Sequence, residues 1–466
     1  MKYKAFLSIT FLALSLSLSA RSTTPLPHEE QANSSSLTLE QLKDSALANN
    51  HALRQKRISI DMATQQRREA FTNFFPNVSA TGAWFNANRG MAKMDIDPSE
   101  FITPELGATL AQMLPVEALA ALSSPMSMTM MKNGTIASVS AIQPLFTGGQ
   151  IIFGNKLAKI GEEASQLQLQ LTENEVEAQV EQYYWQLVSM QEKERTLDAV
   201  DTMLADIKKD VNAAVEAGVA LRNDLLQVQL RHNEVESQRL KLHNGQELIW
   251  MLLKQLCGLK DTSRNSAAGM NRVKSFNLDE ESSLPALEDS SLPLLPEYQL
   301  LQKNVEATTL QRKMEVGKHL PSVAVGAAYN YHNLMENDRT FGMVFATVSV
   351  PLSDWWGGSH AIKRKRLAEQ QATEQLEENA EMLKIRMQKT WNDVVEAKSQ
   401  LTLAQRSIEQ ADENLRVHRD TYHAGTATMT DLLQAQLLYQ QACDQRTDAY
   451  IALQNALLAH RQATGQ

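Results

Sequence analysis

One stretch of this chain is written twice. Glu216-Ala217-Gly218-Val219-Ala220-Leu221-Arg222-Asn223-Asp224-Leu225-Leu226-Gln227-Val228-Gln229-Leu230 runs against His423-Ala424-Gly425-Thr426-Ala427-Thr428-Met429-Thr430-Asp431-Leu432-Leu433-Gln434-Ala435-Gln436-Leu437. Gly218 and Gly425 stand 207 positions apart, as do Asp224 and Asp431, and Pro144-Leu145 keeps that interval to Pro351-Leu352. One offset held over so much chain means two copies of one structural plan. Each Pro-Leu pair is soon followed by paired glycines, Gly148-Gly149 and Gly357-Gly358, and Phe75-Pro76-Asn77-Val78 against Leu320-Pro321-Ser322-Val323 extends the match towards the start of each copy. The segment 260–296, rich in Ser, Asp, Glu and Pro, reads as a connector. It leaves 37–259 as the first repeat and 297–466 as the second.

Each repeat reads as helix, strand, loop, strand, long helix, turn, helix. From Leu157 the apolar residues Ile160, Leu167, Leu171, Val176, Val180, Tyr184, Leu187, Leu197, Val200, Leu204, Ile207 and Val211 recur every third or fourth position, with charges between. A helix from Asn155 to Val215 would be about 90 Å long at ~1.5 Å per residue, and the span from Lys363 to Tyr422 matches it. Gly218 and Gly425 then interrupt the pattern, and a returning helix starts near Asp224 or Asp431. Each repeat therefore ends in a long helical hairpin with its tip at the glycine.

The strands show a different period. In Pro76 to Asn88, Val78, Ala80, Gly82 and Trp84 share one face, against Asn77, Ser79 and Thr81 on the other; Val323, Val325, Ala327, Tyr329 and Tyr331 repeat this against Ser322, Ala324, Gly326 and Asn330. Partner strands are expected at Thr135 to Gln143 and Phe341 to Val350. A small soluble sheet with one buried face alternates in the same way. Runs of about 9 to 11 residues with aromatics near the ends also suit a membrane barrel, with one face to lipid and one to a watery lumen.

The compartment decides between them. Lys2 and Lys4 precede an apolar run from Ala5 to Leu18 that ends in Leu18-Ser19-Ala20. That order of charged, apolar and small residues predicts a secretory signal peptide over 1–20. No later stretch has the roughly 18 to 20 uninterrupted apolar residues of a membrane-spanning helix, so entry into a membrane is expected as strands. The chain carries a net charge of -9, and loss of Lys2 and Lys4 lowers it to -11, which argues against nucleic acid as a partner. Cys257 and Cys443, the two cysteines, are expected to be unpaired, packed thiols.

Lipid tolerates no open sheet edge, so four strands cannot form a barrel alone. Two chains would give a minimal barrel filled by side chains, whereas three give twelve strands and a lumen that conducts. The expected assembly is a homotrimer in outer-membrane lipid, mainly α with a transmembrane β portion.

With these pieces in order, the sequence resembles the TolC family of outer-membrane efflux and secretion conduits. The resemblance rests on the duplication, on the strand exit Gln143-Pro144-Leu145-Phe146-Thr147-Gly148-Gly149, and on the turn Tyr422-His423-Ala424-Gly425 followed by Asp431-Leu432-Leu433. It implies a twelve-stranded barrel in the Gram-negative outer membrane continued by a periplasmic helical barrel. The hairpin tips would then close the inner end, open by an iris-like movement and dock a periplasmic membrane-fusion adaptor belonging to an inner-membrane pump. The pump supplies the energy, so no cofactor or nucleotide site is expected in this chain.

The tips are the candidate site: Gly218, Asp224 and Gln227 in the first hairpin, Gly425, Asp431 and Gln434 in the second. Three copies of Asp224 and Asp431 would ring a constriction with carboxylates and favour cations. Helix capping accounts for the same acids, since a returning helix needs acceptors and negative charge at its start. The strand-to-helix exits are expected at Pro144, Gly148 and Gly149, and at Pro351, Gly357 and Gly358.

One insertion separates the repeats. About 45 residues, Arg89 to Gly134, join the first two strands, against the short link from Asn333 to Thr340. It carries Met91, Met94, Met113, Met126, Met128, Met130 and Met131. Thioether clusters bind Cu(I), but packing in a lid or a short amphipathic helix near Ala108 to Leu122 is the plainer expectation, and no metal site is assigned. No His-Glu-x-x-His, Walker loop, Gly-x-Gly-x-x-Gly or Gly-x-Ser-x-Gly is present, so catalysis is not expected. The leading reading is the exit duct of a tripartite efflux system. The alternatives are the duct of a type I protein secretion system, or a periplasmic coiled-coil adaptor or scaffold.

Overall fold

A computed structural model describes residues 38–88, 92–96, 103–113, 115, 126–130, 133–259, 292–333, 338–352 and 354–465. The expected signal segment 1–20 and most of the connector 260–296 lie outside these residues. So do Met91 and Met131, and the side chains of Met94, Met126, Met128 and Met130.

Helix α1 (Leu39–Asn49) starts at a capping box, in which Thr38 Oγ1 accepts from Gln41 N–H at 3.3 Å and Thr38 N–H donates to Gln41 Oε1 at 3.1 Å. Asn50 then ends α1 and caps α2 (His51–Thr72), accepting from Ala52 N–H at 2.7 Å. The first repeat thus opens with two helices where its sequence pattern read as one. The chain continues through β1 (Asn77–Asn86), β2 (Ala92–Ile96), α3 (Pro104–Met113), β3 (Met126–Met130), β4 (Asn133–Phe146), α4 (Gln150–Glu216) and α5 (Arg222–Cys257). The second repeat holds α6 (Pro296–Lys318), β5 (Ser322–Asn333), β6 (Asp338–Ser349), α7 (Asp354–His423) and α8 (Met429–Thr464).

The long insertion has structure of its own: β2 and β3 pair antiparallel, and α3 starts at Pro104, earlier than the periodicity indicated. Helices α4 and α7 contain 67 and 70 residues. At ~1.5 Å per residue each runs about 100 Å.

Strands β1, β4, β5 and β6 form one antiparallel sheet in that order, so β1 and β6 are its edges. The register puts Val78, Ala80, Gly82 and Trp84 on the same face as Val139, Ala141, Ala327, Tyr329, Val344 and Val348. Val78, Trp84, Tyr329, Val344 and Val348 on that face are all exposed. The opposite face is more polar: Ser79 and Ser140 hydroxyls lie 3.1 Å apart, and Ser138 donates to Asn330 Oδ1 at 2.8 Å. No helix of the described residues is long and apolar enough to cross a membrane.

Beneath the sheet, α5 lies beside α4, α4 beside α8, and α8 beside α7, while α1 and α2 pack on α4, and α6 touches both α4 and α7. Two apolar blocks hold the shaft together. The upper one joins Val180, Tyr184, Trp185, Leu187, Trp250, Leu253 and Tyr450 to Leu42, Ala46 and Leu53 of the leading helices. The lower one joins Leu197, Val200, Leu204 and Val211 to Val228, Val235, Leu415, Met429 and Leu432 near the tips. The apolar series from Val176 to Val211 that defined the sequence period is the buried face of α4. Cys257 and Cys443 are both free, as expected, and burial pushes the Cys257 thiol up to about 11.

Candidate functional site

Two helix endings of one design form the tips. At the end of α4, Gly218 N–H donates to Val215 O at 3.0 Å and Val219 N–H to Ala214 O at 2.9 Å. At the end of α7, Gly425 N–H donates to Tyr422 O at 2.9 Å and Thr426 N–H to Thr421 O at 3.0 Å. This pair of bonds is the Schellman ending, which needs a left-handed residue just past the helix. Gly218 and Gly425 supply it with φ of +76° and +73°, and neither glycine has a neighbour where a Cβ would stand. The glycines turn the chain without packing against anything in it.

The two acids stand at equivalent positions in different surroundings. Asp431 completes a full capping box at the start of α8: its Oδ2 accepts from Thr428 N–H at 3.0 Å and from Thr428 Oγ1 at 2.7 Å, and Thr428 Oγ1 accepts from Asp431 N–H at 3.2 Å. The Thr428 hydroxyl and amide hold the Asp431 carboxyl below its ordinary value. Asp224 makes only half of that box, because its partner is Leu221, whose N–H donates at 3.2 Å and whose side chain offers no acceptor. The repeat pattern matched the acids and left this difference between Leu221 and Thr428 unread.

A cleft of about 520 Å³ lies between the tips, lined among others by Asp210, Asp224, Leu221, Tyr422, His423 and Met429. Asp224 lines it and Asp431 does not. Tyr422 stands among the carboxylates, and its phenol is raised above its ordinary value by burial first and then by Asp224 and Asp210. Sequence reasoning missed Asp210. Spacing carried no signal for it, because only the folding back of the hairpin brings it to Asp224. The tips touch through Gln227, whose Oε1 accepts from Thr430 Oγ1 at 3.3 Å, while Gln434 is exposed.

The strand exits are less alike than their sequences. Pro144 sits at a register shift between β4 and β5, and Gly148 and Gly149 follow with φ of +63° and +80°, Gly149 capping α4. Pro351 follows β6, but Gly357 and Gly358 lie inside the first turns of α7, which begins at Asp354. The exit expected at these two glycines therefore comes earlier, before Asp354, and Gly358 makes room for the His319 ring. The partner of Gly148 is Gly317 at the end of α6, a close approach of two backbones that spacing did not indicate.

At the tips no three His, Cys, Asp or Glu ligands converge among the described residues. The tips therefore present carboxylates, one phenol and two open glycine turns.

Comparison with known proteins places this geometry. The family profile described as outer membrane efflux protein matches residues 42–259 and 296–466. The fold is similar to that of the Campylobacter jejuni CmeC outer membrane channel, at 15% identity and a TM-score of 0.72 over 97% of this chain and 94% of that one. It is also similar to the outer membrane protein VceC of Vibrio cholerae, at 14% identity and a TM-score of 0.70 over 92% of this chain and 96% of that one. A curated relative, the proteases secretion protein PrtF of Dickeya chrysanthemi, is 24% identical over 211 residues, which span 42% of this chain and 45% of PrtF.

Proposed function

Because this chain belongs to the outer membrane efflux protein family, we propose that it is the outer-membrane exit duct of a tripartite efflux system, conducting cargo passively and catalysing nothing. Residues 1–20 would direct export, 37–259 and 297–466 would be the two repeats, and 260–296 would join them. The shaft of α4, α5, α7 and α8 would extend into the periplasm.

One observation carries this reading: the sheet and the helical layer are each open at two edges. The sheet ends at β1 and β6, and the helical layer at α5 and α7. Helix α5 leaves Leu226, Leu230, Leu240, Leu248 and Met251 exposed, and α7 leaves Leu367, Met382, Ile385, Val395 and Leu403 exposed. These residues recur at helical spacing, so each edge is an apolar stripe without a partner in the chain. One rotation that pairs β6 with a neighbour's β1 also brings α7 to that neighbour's α5. Three copies make twelve strands, enough for a lumen, and turn the apolar sheet face to lipid.

At the inner end Val219 is 80% and Leu221 70% exposed, where the second tip carries Thr426 and Thr428. Exposed apolar side chains beside a glycine turn suit contact with a periplasmic adaptor, and the first tip is the more apolar of the two. The tip residues Gly218, Asp224, Gln227, Gly425, Asp431 and Gln434 would form the gate and the adaptor contact.

A second reading keeps the duct and changes the cargo to exported polypeptide, and the partial similarity to PrtF favours it. Cargo would be selected by pump and adaptor, so both readings share one structure.

The test is to measure the oligomeric mass of the detergent-extracted protein and its conductance in planar bilayers, with and without the paired Asp224→Ala and Asp431→Ala changes. A trimer with a small cation-selective conductance that the variant alters is expected. A soluble, non-conducting monomer or dimer would replace the duct by the scaffold reading.

A further inference from the structure

About four helical turns above the first tip, away from the cleft and the strand exits, three potential metal ligands converge. Asp201 comes from α4; His232 and Glu236 come from α5, four residues apart and therefore on one helix face. One ligand atom from each lies within 4.8 Å of the other two, and His232 Nδ1 stands 2.8 Å from Asp201 Oδ1. That oxygen is shielded from solvent, and the two atoms stand at ion-pair distance without hydrogen-bond geometry between them.

We propose that Asp201, His232 and Glu236 bind a divalent transition metal that clips α4 to α5. One imidazole nitrogen and two carboxylate oxygens suit zinc or cobalt, with water in a fourth position. A tetrahedral ion with ligands at about 2.1 Å sets them roughly 3.4 Å apart. The 2.8 Å Asp201–His232 pair must therefore open by about 0.6 Å and no other pair close by more than about 1.4 Å, adjustments within the reach of side-chain rotation.

A resident cation occupies part of the cluster. Arg239 Nη1 donates to Glu236 Oε1 at 2.8 Å, and its Nη2 lies 3.9 Å from Asp201 Oδ2 while donating to Asp198 Oδ1. The metal would take Glu236 from Arg239, and Asp198 would retain the guanidinium. The duplication supplies a control within the chain. At the same 207-residue offset the second hairpin has Ile408, Tyr439 and Cys443. The hairpin fold therefore does not require this ligand set, which belongs to the first repeat alone.

The test uses the full detergent-solubilised chain, carrying no added histidines and stripped with chelator, titrated with Co(II) while its visible d–d absorption is followed. One equivalent per chain is expected. His232→Ala and Asp201→Asn should each weaken binding at least about 10-fold, and Arg239→Gln should tighten it by removing the competing cation. The tightening distinguishes a site from general damage, because a misfolded variant would not gain affinity. Equal binding by the wild type and His232→Ala, or no saturable band in the wild type, would overturn the proposal.

Discussion

Alanine at Gly317 and at Gly161 should change stability in opposite directions. Both glycines are helical, so on propensity alone either substitution stabilises by about 0.5–1 kcal/mol. Gly161 has nothing within 4 Å of the added carbon and should realise that gain. At Gly317 the new Cβ would stand 2.1 Å from Gly148 O, and the obstacle is backbone. Gly148 cannot swing aside freely, because its φ of +63° is set by the turn that launches α4. Overpacking of this kind costs about 1–3 kcal/mol, and a backbone obstacle argues for the upper end. The net expectation for Gly317→Ala is a loss of about 2 kcal/mol per chain, against a gain of up to about 1 kcal/mol for Gly161→Ala. Thermal and denaturant unfolding of the solubilised protein, followed by far-ultraviolet circular dichroism, compares the two. If Gly317→Ala is as stable as Gly161→Ala, the α6 end and the start of α4 do not meet as described.

Leu221→Thr should complete the capping box that Asp224 half makes and stabilise the start of α5, whereas Thr428→Ala should cost the start of α8 about 1 kcal/mol; amide exchange over the first turn of each helix reads both. The Asp431 carboxyl is depressed when folded, so its contribution is fully present above its unfolded value and is lost as pH falls through its folded one. Protection of the α8 start, taken relative to the intrinsic exchange rate at each pH, should therefore fall below about pH 4 in the wild type and be insensitive to pH there in Asp431→Asn. Glu181 is 2% exposed and holds Lys43 Nζ at 2.5 Å and Arg461 Nη2 at 2.6 Å, tying α1 and α8 to α4. Glu181→Ala strands Lys43 and Arg461 without their shared carboxylate and should cost about 3 kcal/mol in chemical unfolding, near the lower end for breaking a buried pair because both cations keep some solvent.

Most of the architecture was legible because it rests on periodicity. The residues from Val176 to Val211 predict α4 from their spacing alone, and alternation around Val78 and Val323 predicts two strands within a residue or two. What escaped was tertiary in origin. Asn50 splits the leading helix because its amide also donates to Leu256 O at 3.0 Å, a residue far along the chain. The sequence places Gly357 and Gly358 at the strand-to-helix exit, but the helix already runs through them, with Gly358 against His319. At the tips, glycine and aspartate were visible as types in the repeat. That Asp210 joins Asp224 in the cleft while Asp431 lies outside its lining depends on which way each hairpin faces, and no spacing encodes that.

The duplication also separates what the fold needs from what this chain adds. The Schellman glycine and the acid at the third helical position occur in both copies, so they belong to the shared plan of the hairpin. Tyr422 corresponds to Val215 and Asp210 to Val417, so the phenol set among carboxylates exists at one junction only, between the first tip and the second. Above that cleft the same junction is tied by directional bonds: Arg231, buried, donates from Nε to Gln436 Oε1 at 3.0 Å and from Nη2 to Gln440 Oε1 at 2.6 Å, and Gln440 donates to Gln238 Oε1 at 2.9 Å. In the proposed ring the other junction, α7 against a neighbour's α5, would be made by apolar stripes. Hydrogen-bonded networks fix register and break when helices slide, whereas apolar contact is non-directional and survives displacement. A movement that opened the tips would therefore be taken up first between chains. Arg231→Met, which removes the directional tie without emptying the space, should let the hairpins within a chain move as freely as those between chains.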